Sequence, residues 1–441
     1  MGNLELIDFA VFFLVLSATI ASVVFGIQKR SENNFLDHLL MGRKLTLPLF
    51  TATLVATWYG GIFGVAEIAF NEGLYNFITQ GVFWYLSYIV FALFILPKIK
   101  QKSYSSLPEL VSSRMGKFAG NWTASLNIFN LLPIAYIISL GKFLSLVFDI
   151  HFELGMVLGL LTVLSYSLFG GFRSVVYSDI VQFFVMLTSV IMVFIFAIFK
   201  FGISELSVLP ESYFSFTGKS SLGETFMWGL IAFGTLVDPN FYQRSYAAKD
   251  TKTAQKGILL STLIWLIFDI SLTVGAMYAK ATGALDYFNF SLSLLPIGLK
   301  GFFLAGLLAT ILSTLDSYLF LAGSTFSLDL MKRKNTRTQK ISIIIIAFIS
   351  LALAFNSDGS IKSVWKFLGS LSSAALLFPM LGFYFLKNFK STAFMASSIS
   401  GTFATLYFTI FPNDYEPIYY GLTASMVTAL VIYSINQLQS E

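Results

Sequence analysis

Hydrophobic residues in this chain come in long runs, separated by short polar stretches that hold most of the charge. Thirteen runs are long enough to span a bilayer, at about 4–28, 46–71, 74–97, 119–148, 152–171, 175–201, 224–246, 254–279, 299–328, 340–356, 363–386, 392–412 and 416–436. A helix needs roughly 20 apolar residues to cross the hydrocarbon layer, so the pattern predicts an all-α polytopic membrane protein of about 13 transmembrane helices. No stretch between runs has room for a soluble domain. The longest, 202–223 and 98–118, are short, and the second has space for a brief amphipathic helix.

Two runs are interrupted near their middle. The second reads TATLVATWYGGIFGVAEIAF, with Gly60, Gly61 and Gly64; the seventh reads WGLIAFGTLVDPNFYQR, with Gly234 and then Asp238-Pro239. Glycine permits, and proline forces, an opening of the helix that frees backbone carbonyls. Irregular backbone survives at membrane depth only where it lines protein or water. The two breaks lie five helices apart, so each opens a five-helix unit. Interruptions at corresponding places in two halves point to an inverted-repeat transporter with its site at the repeat interface. The expected division is a first extra helix and inner loop (1–45), a first repeat (46–201, helices 2–6), a second repeat (202–386, helices 7–11) and two accessory helices (387–441).

Composition agrees with this class: 56% of residues are hydrophobic, 12% are charged and the mean hydropathy is +0.77. With no cysteine there is no disulfide framework, and His38 and His151 are too few and too far apart for a metal cluster. The net charge of +5 bears on orientation and not on nucleic acid. Placing the N-terminus outside puts the great majority of the 28 basic residues on inner loops, including Lys29, Arg30, Arg43, Lys44, Lys98, Lys100, Lys102, Arg114, Lys117, Arg173, Arg244 and Lys332. The expected topology in the cell (plasma or inner) membrane is N-out, C-in. The first run has no basic region before it, so it reads as a retained helix and not a cleaved leader.

The ninth run carries the densest polar signal, GLLATILSTLDSY. On a helix Thr310, Ser313, Thr314 and Ser317 share one face, with Asp316 beside it. One or two hydroxyls would only pack the helix. Four in register with a carboxylate point to an ion site. Other acids within the spans are Glu67, Asp179, Asp238 and Asp269. Asp179 reads equally as a snorkelling interfacial acid, and Asp238 before Pro239 as a helix cap as well as a ligand. Glu67 and Asp269 read as buried polar groups. Trp58 and Tyr59 flank the first break, with Trp84, Tyr136 and Phe241 expected at the same depth; aromatic walls with a carboxylate suit a cationic or zwitterionic ligand. No paired acid and base, nucleophile elbow or phosphate loop argues for an enzyme.

Five stretches resemble the sodium:solute symporter family: DHLLMGRKL, ATWYGG, GGFRSVVYSDIVQ, ATILSTLDSYL and FYQRSYAAKD. ATWYGG followed by AE, together with GGFRSVVYSD, is most similar to the choline-transporter branch. The resemblance implies a five-plus-five inverted-repeat core like that of the leucine transporter and sodium-coupled uptake by alternating access. It places the main sodium on backbone oxygens of Ala56, Tyr59 and Thr310 with the hydroxyls of Ser313 and Thr314. A second sodium would use Asp179, Ser313, Asp316 and Ser317, although Asp316 stands where such members carry a hydroxyl. The substrate-contacting position matches Asp238, where sugar members have an amide and choline members a tryptophan, and Trp58 matches a choline-contacting aromatic. Trp58, Tyr59, Trp84, Tyr136, Asp238 and Phe241 are thus the candidate substrate residues, for a small organic cation, amine or amino acid. The partners expected are that solute, sodium and the lipid bilayer, with no nucleic acid. A proton-coupled permease using Asp316 or Asp179 is the alternative, and a transporter-like sensor is disfavoured because the chain ends five residues after its last run.

Overall fold

The computed structural model describes residues 4–29, 35–99 and 103–439; Arg30, Lys100 and Lys102, used above for orientation, lie outside the described residues. In chain order the helices are α1 (Leu6–Gln28), α2 (Phe35–Leu40), α3 (Leu47–Ala56), α4 (Ile62–Glu72), α5 (Leu74–Asn76), α6 (Phe83–Val90), α7 (Leu107–Asn130), α8 (Ile134–Phe148) and α9 (Phe152–Phe201). They continue with α10 (Leu222–Ala232), α11 (Pro239–Ala247), α12 (Thr251–Ala281), α13 (Tyr287–Leu294), α14 (Leu299–Thr325), α15 (Thr336–Phe355), α16 (Ile361–Phe385), α17 (Ser391–Ile410) and α18 (Pro417–Leu438). Among the described residues there is no strand, only an isolated bridge between Leu45 and Ala248.

Among the described residues, ten helical stretches are long and apolar enough to cross a membrane. The sequence reading gives thirteen spans because it counts three things differently. The pairs α3/α4 and α10/α11 are each one span cut in two, and α9 is two spans joined at Gly171 (φ 67°, ψ −175°). A side chain at Gly171 would also meet the His38 ring, its Cβ 2.5 Å from Nδ1. The DHLLMGRKL stretch packs under this turn, where Arg173 pairs with Asp37 at 2.5 Å and His38 meets Gln339 at 2.5 Å. The brief helix expected within 98–118 is the first part of α7, set off by Gly116 (φ 87°). Two features went unforeseen: a break at Leu131–Pro133 that divides the fourth span, and the short α13 before α14.

α14 is the axle of the fold. Its central window is wholly buried, against α1, α8, α9 and α15. Its first turn is capped from another helix: Asp8 of α1 accepts from the N–H groups of Gly298 (2.6 Å) and Gly301 (3.3 Å), satisfying donors a helix start leaves free. At the end of the bundle assigned to the outside by charge, Lys362 of α16 lies 3.1 Å from Glu224 of α10 and 3.8 Å from Glu72 of α4. At the opposite end Leu45 and α11 exchange backbone bonds, Leu45 N to Ala247 O and Lys249 N to Leu45 O, each 3.0 Å.

Candidate ion and solute site between the two broken helices

The first break is built by glycines in contact with three helices. A Cβ on Gly60 would fall 2.5 Å from the Thr314 Cβ and 2.7 Å from the Tyr136 ring; one on Gly61 would overlap Trp365 at 1.9 Å. Only bare backbone lets α14, α8 and α16 close on this turn. Within it, Thr57 N bonds Thr53 O and Trp58 N bonds Val55 O, while no described backbone N–H reaches the carbonyls from Ala56 to Gly60. Buried carbonyls demand partners. The Ser313 hydroxyl donates to Ala56 O at 2.7 Å and also lies 2.8 Å from Ala309 O and 3.1 Å from Thr310 O. The Thr314 hydroxyl lies 3.0 Å from Thr310 O. Ala56, Thr310, Ser313 and Thr314 are thereby brought together as a set of neutral oxygens, all but fully buried. This donor set fits a hard monovalent cation.

Tyr59 belongs to the same opened turn, but its side chain turns away. Its phenol donates to Asp269 of α12 at 2.8 Å, and Tyr85 of α6 donates to the other carboxylate oxygen. Asp269 is therefore buried with two named partners. Glu67 is not: the expectation of a buried group is corrected, because α4 turns it outward, where it lines a surface groove with Lys142 and Asp149. The position fits an ordinary solvated acid near a helix end.

The inner residues form a second cluster. Arg244 of α11 is fully buried, its Nη2 donating to Thr57 at 2.5 Å and to Thr53 and Ser317 at 3.2 Å each. The same nitrogen is 3.9 Å from Asp179, which accepts from Thr53. The guanidinium thus stands among Asp179, Ser317, Thr53 and Thr57, holding two of the four groups, Asp179 and Ser317, that the family resemblance gives to a second sodium. Asp316 lies apart from this cluster's hydrogen bonds. It is buried with no hydrogen bond to Oδ1, and Ser167 of α9 lies beside it.

Between the breaks lies a cavity of about 110 Å³. Five of the six candidate substrate residues line it: Trp58, Tyr59, Trp84, Tyr136 and Asp238. Phe241 does not. It is packed behind the wall, stacked on Tyr88 at 5.2 Å and edge-on to Trp58 at 6.2 Å, because the first turn of α11 points it away from the cavity. Asp238 caps α11, its Oδ1 accepting from Asn240 N at 2.7 Å, and no other charged side chain lines the space. Trp228 of α10, Trp365 of α16, Tyr318 of α14 and Gln80 also face it. The sequence reading passed over them, though a signal existed: Trp is scarce here, and four of the six line this one cavity.

The description of the sodium:solute symporter family matches residues 38–401, most of the chain and all of the elements around this cavity. The chain belongs to the sodium:solute symporter family. Among curated relatives, the sodium/pantothenate symporter of Escherichia coli (strain K12) is 24% identical, with 93% of each chain covered. The sodium/proline symporter of Staphylococcus aureus (strain JH9) is 23% identical, covering 97% of this chain and 91% of its own length. Solved structures agree on the fold. A Na+-coupled sialic acid symporter in a substrate-bound, outward-open state superposes with TM-score 0.78 at 17% identity, covering 98% of both chains. A nucleobase-cation-symport-1 family transporter in a closed conformation gives 0.60 at 14% identity, covering 87% of this chain and 90% of that one. The fold is thus the leucine-transporter-like inverted repeat, and the chain is a multi-pass, sodium-coupled solute symporter working by alternating access.

Proposed function

We propose that this symporter takes up a small organic amine bearing a positive charge, together with sodium. One observation carries the reading: the cavity wall holds a single charged side chain, Asp238, among Trp58, Trp84, Trp228, Trp365, Tyr59, Tyr136 and Tyr318. Aromatic faces attract an organic cation, and more strongly where water is displaced. The carboxylate supplies the counter-charge, and its fixed cap to Asn240 keeps it pointed at the cavity. A purely anionic solute would meet only Asp238 and no basic partner.

Sodium is assigned to Ala56 O, Tyr59 O, Thr310 O, Ser313 Oγ and Thr314 Oγ1. Those oxygens come from the two repeats, 46–201 and 202–386, so filling the site ties α3 to α14 and shapes the opened turn that carries Trp58. Solute and sodium then favour the same state, and each raises the affinity of the other. Asp179 and Ser317, assigned with Ser313 and Asp316 to a second sodium, are held in this conformation by Arg244. With the N-terminus outside and the C-terminus cytoplasmic, inward movement of one charge through 100 mV contributes about 2.3 kcal/mol, roughly fortyfold accumulation per charge.

The test is a thermal-shift screen of the purified chain against amines, amino acids, sugars and carboxylates, with and without sodium. A cationic amine that stabilises only when sodium is present is the expected result, and sodium-dependent stabilisation by a carboxylate or sugar alone overturns it. Asp316, buried without a hydrogen bond to Oδ1, favours a second reading in which a proton is the coupling ion. Uptake that persists at fixed pH when potassium replaces sodium would select that reading.

A further inference from the structure

We infer that Asp269 is a positioning residue that couples the sodium oxygens to the solute cavity through Tyr59 and Tyr85. The inference rests on the sodium site assigned above and adds to it. Asp269 is 1% exposed on α12 and accepts one phenol on each carboxylate oxygen, Tyr59 on Oδ1 at 2.8 Å and Tyr85 on Oδ2. No described Lys, Arg or His pairs with it. A buried carboxyl group held only by two hydroxyls depends on both of those donors staying in place.

Each tyrosine leads to a different half of the site. Tyr59 is part of the opened turn whose Ala56 carbonyl accepts from Ser313 of α14, and its ring stacks on Phe268, the neighbour of Asp269, at 4.0 Å and 27°. Tyr85 follows Trp84, which lines the cavity and meets Trp58 edge-on at 4.9 Å. The contact is made possible by Gly81, where a Cβ would fall 2.9 Å from the Tyr85 hydroxyl and 3.3 Å from Asp269 Oδ2. One carboxylate therefore fixes three spans against one another: the broken second, the third and the eighth. When sodium draws the opened turn to α14, Tyr59 carries the load to Asp269 and thence to Tyr85 and Trp84. By linkage the same path runs backward from solute to sodium. Asparagine keeps one acceptor oxygen and places an NH2 donor where the other stood, so only one phenol can still donate to it and the other must reorient to accept.

The full purified chain is titrated with sodium alone, reading the sodium-dependent rise in Tm and ²²Na binding. Asp269→Asn is expected to raise the half-saturating sodium concentration about tenfold. Tyr85→Phe, which touches no sodium oxygen, should shift the same curve in the same direction, over and above any loss of Tm that is equal with and without sodium. Wild-type sodium curves in both variants, with Tm lowered equally with and without sodium, would overturn the inference and leave Asp269 a packing residue. If Asp269→Asn does not fold, Tyr85→Phe decides. Ser313→Ala, run alongside, separates the two readings: if it alone shifts the curve, the coupling fails and the sodium site stands. If no variant shifts the curve, the sodium site itself falls.

Discussion

The Ser313 hydroxyl donates to the Ala56 carbonyl across 2.7 Å, joining the middle of α14 to the last turn of α3. Ala56 ends its helix and no described backbone N–H reaches its oxygen, so this contact is the junction between the two repeats at the candidate ion site. Ser313→Ala removes one oxygen of the set and leaves helix packing intact. Half-saturating sodium for uptake should rise by an order of magnitude or more, about 1.5–3 kcal/mol for a contact to a charged group, on top of a loss of Tm, present with and without sodium, from the Ala56 carbonyl left without its hydroxyl donor. An unchanged sodium curve would refute the assignment.

Asp238→Asn keeps the cap to Asn240, because the amide oxygen still accepts, and deletes the one charge on the cavity wall. For an amine solute the affinity should fall about 100-fold, in line with the loss of a charge-assisted contact. For neutral solutes it should hold. Isothermal titration with the amine found in the screen reads the difference.

Arg244→Ala strips the partner from Asp179 in a fully buried cluster. Breaking such a pair from one side costs about 3–5 kcal/mol, so the single variant should express poorly or unfold early. The double variant Arg244→Ala with Asp179→Asn removes the stranded charge and should regain part of the lost stability. Thermal unfolding in detergent compares the two.

Gly301 and Asp8 test the axle. A Cβ on Gly301 would lie 1.9 Å from the Asp8 carbonyl oxygen, a backbone atom that cannot swing aside. Gly301→Ala should force α1 off α14 and cost about 1–3 kcal/mol, as overpacking does. Asp8→Ala, which uncaps Gly298 and Gly301 and also removes the acceptor for Glu5 N at the start of α1, should cost about 1–2 kcal/mol.

The spans were legible because a bilayer imposes one length and one composition on them. The breaks were legible too: Gly60, Gly61 and Pro239 act through local backbone chemistry, and α3 ends and α11 begins within a few residues of them. What escaped was pairing at a distance. Asp269 could be seen as a buried acid, but its partners Tyr59 and Tyr85 are 210 and 184 residues away. Arg244 reads from sequence as an inner-loop basic residue, yet it is fully buried; nothing local reveals that its head group reaches across to Thr53, Thr57 and Ser317. Glu67 and Phe241 were misplaced for a simpler reason. Facing is set by helix rotation, and a break resets the rotation of the half-helix that follows it.

The clustering of indoles around the cavity gives the molecule an optical reporter of its own. Trp58, Trp84, Trp228 and Trp365 line the cavity, and Trp265 sits 5.8 Å from Trp58. Only Trp122, hydrogen-bonded to Ser398 of α17, is tied to the accessory helices. Intrinsic emission is thus dominated by residues within reach of the solute, so occupancy can be followed on unlabelled protein, with Trp122 as the nearly constant background.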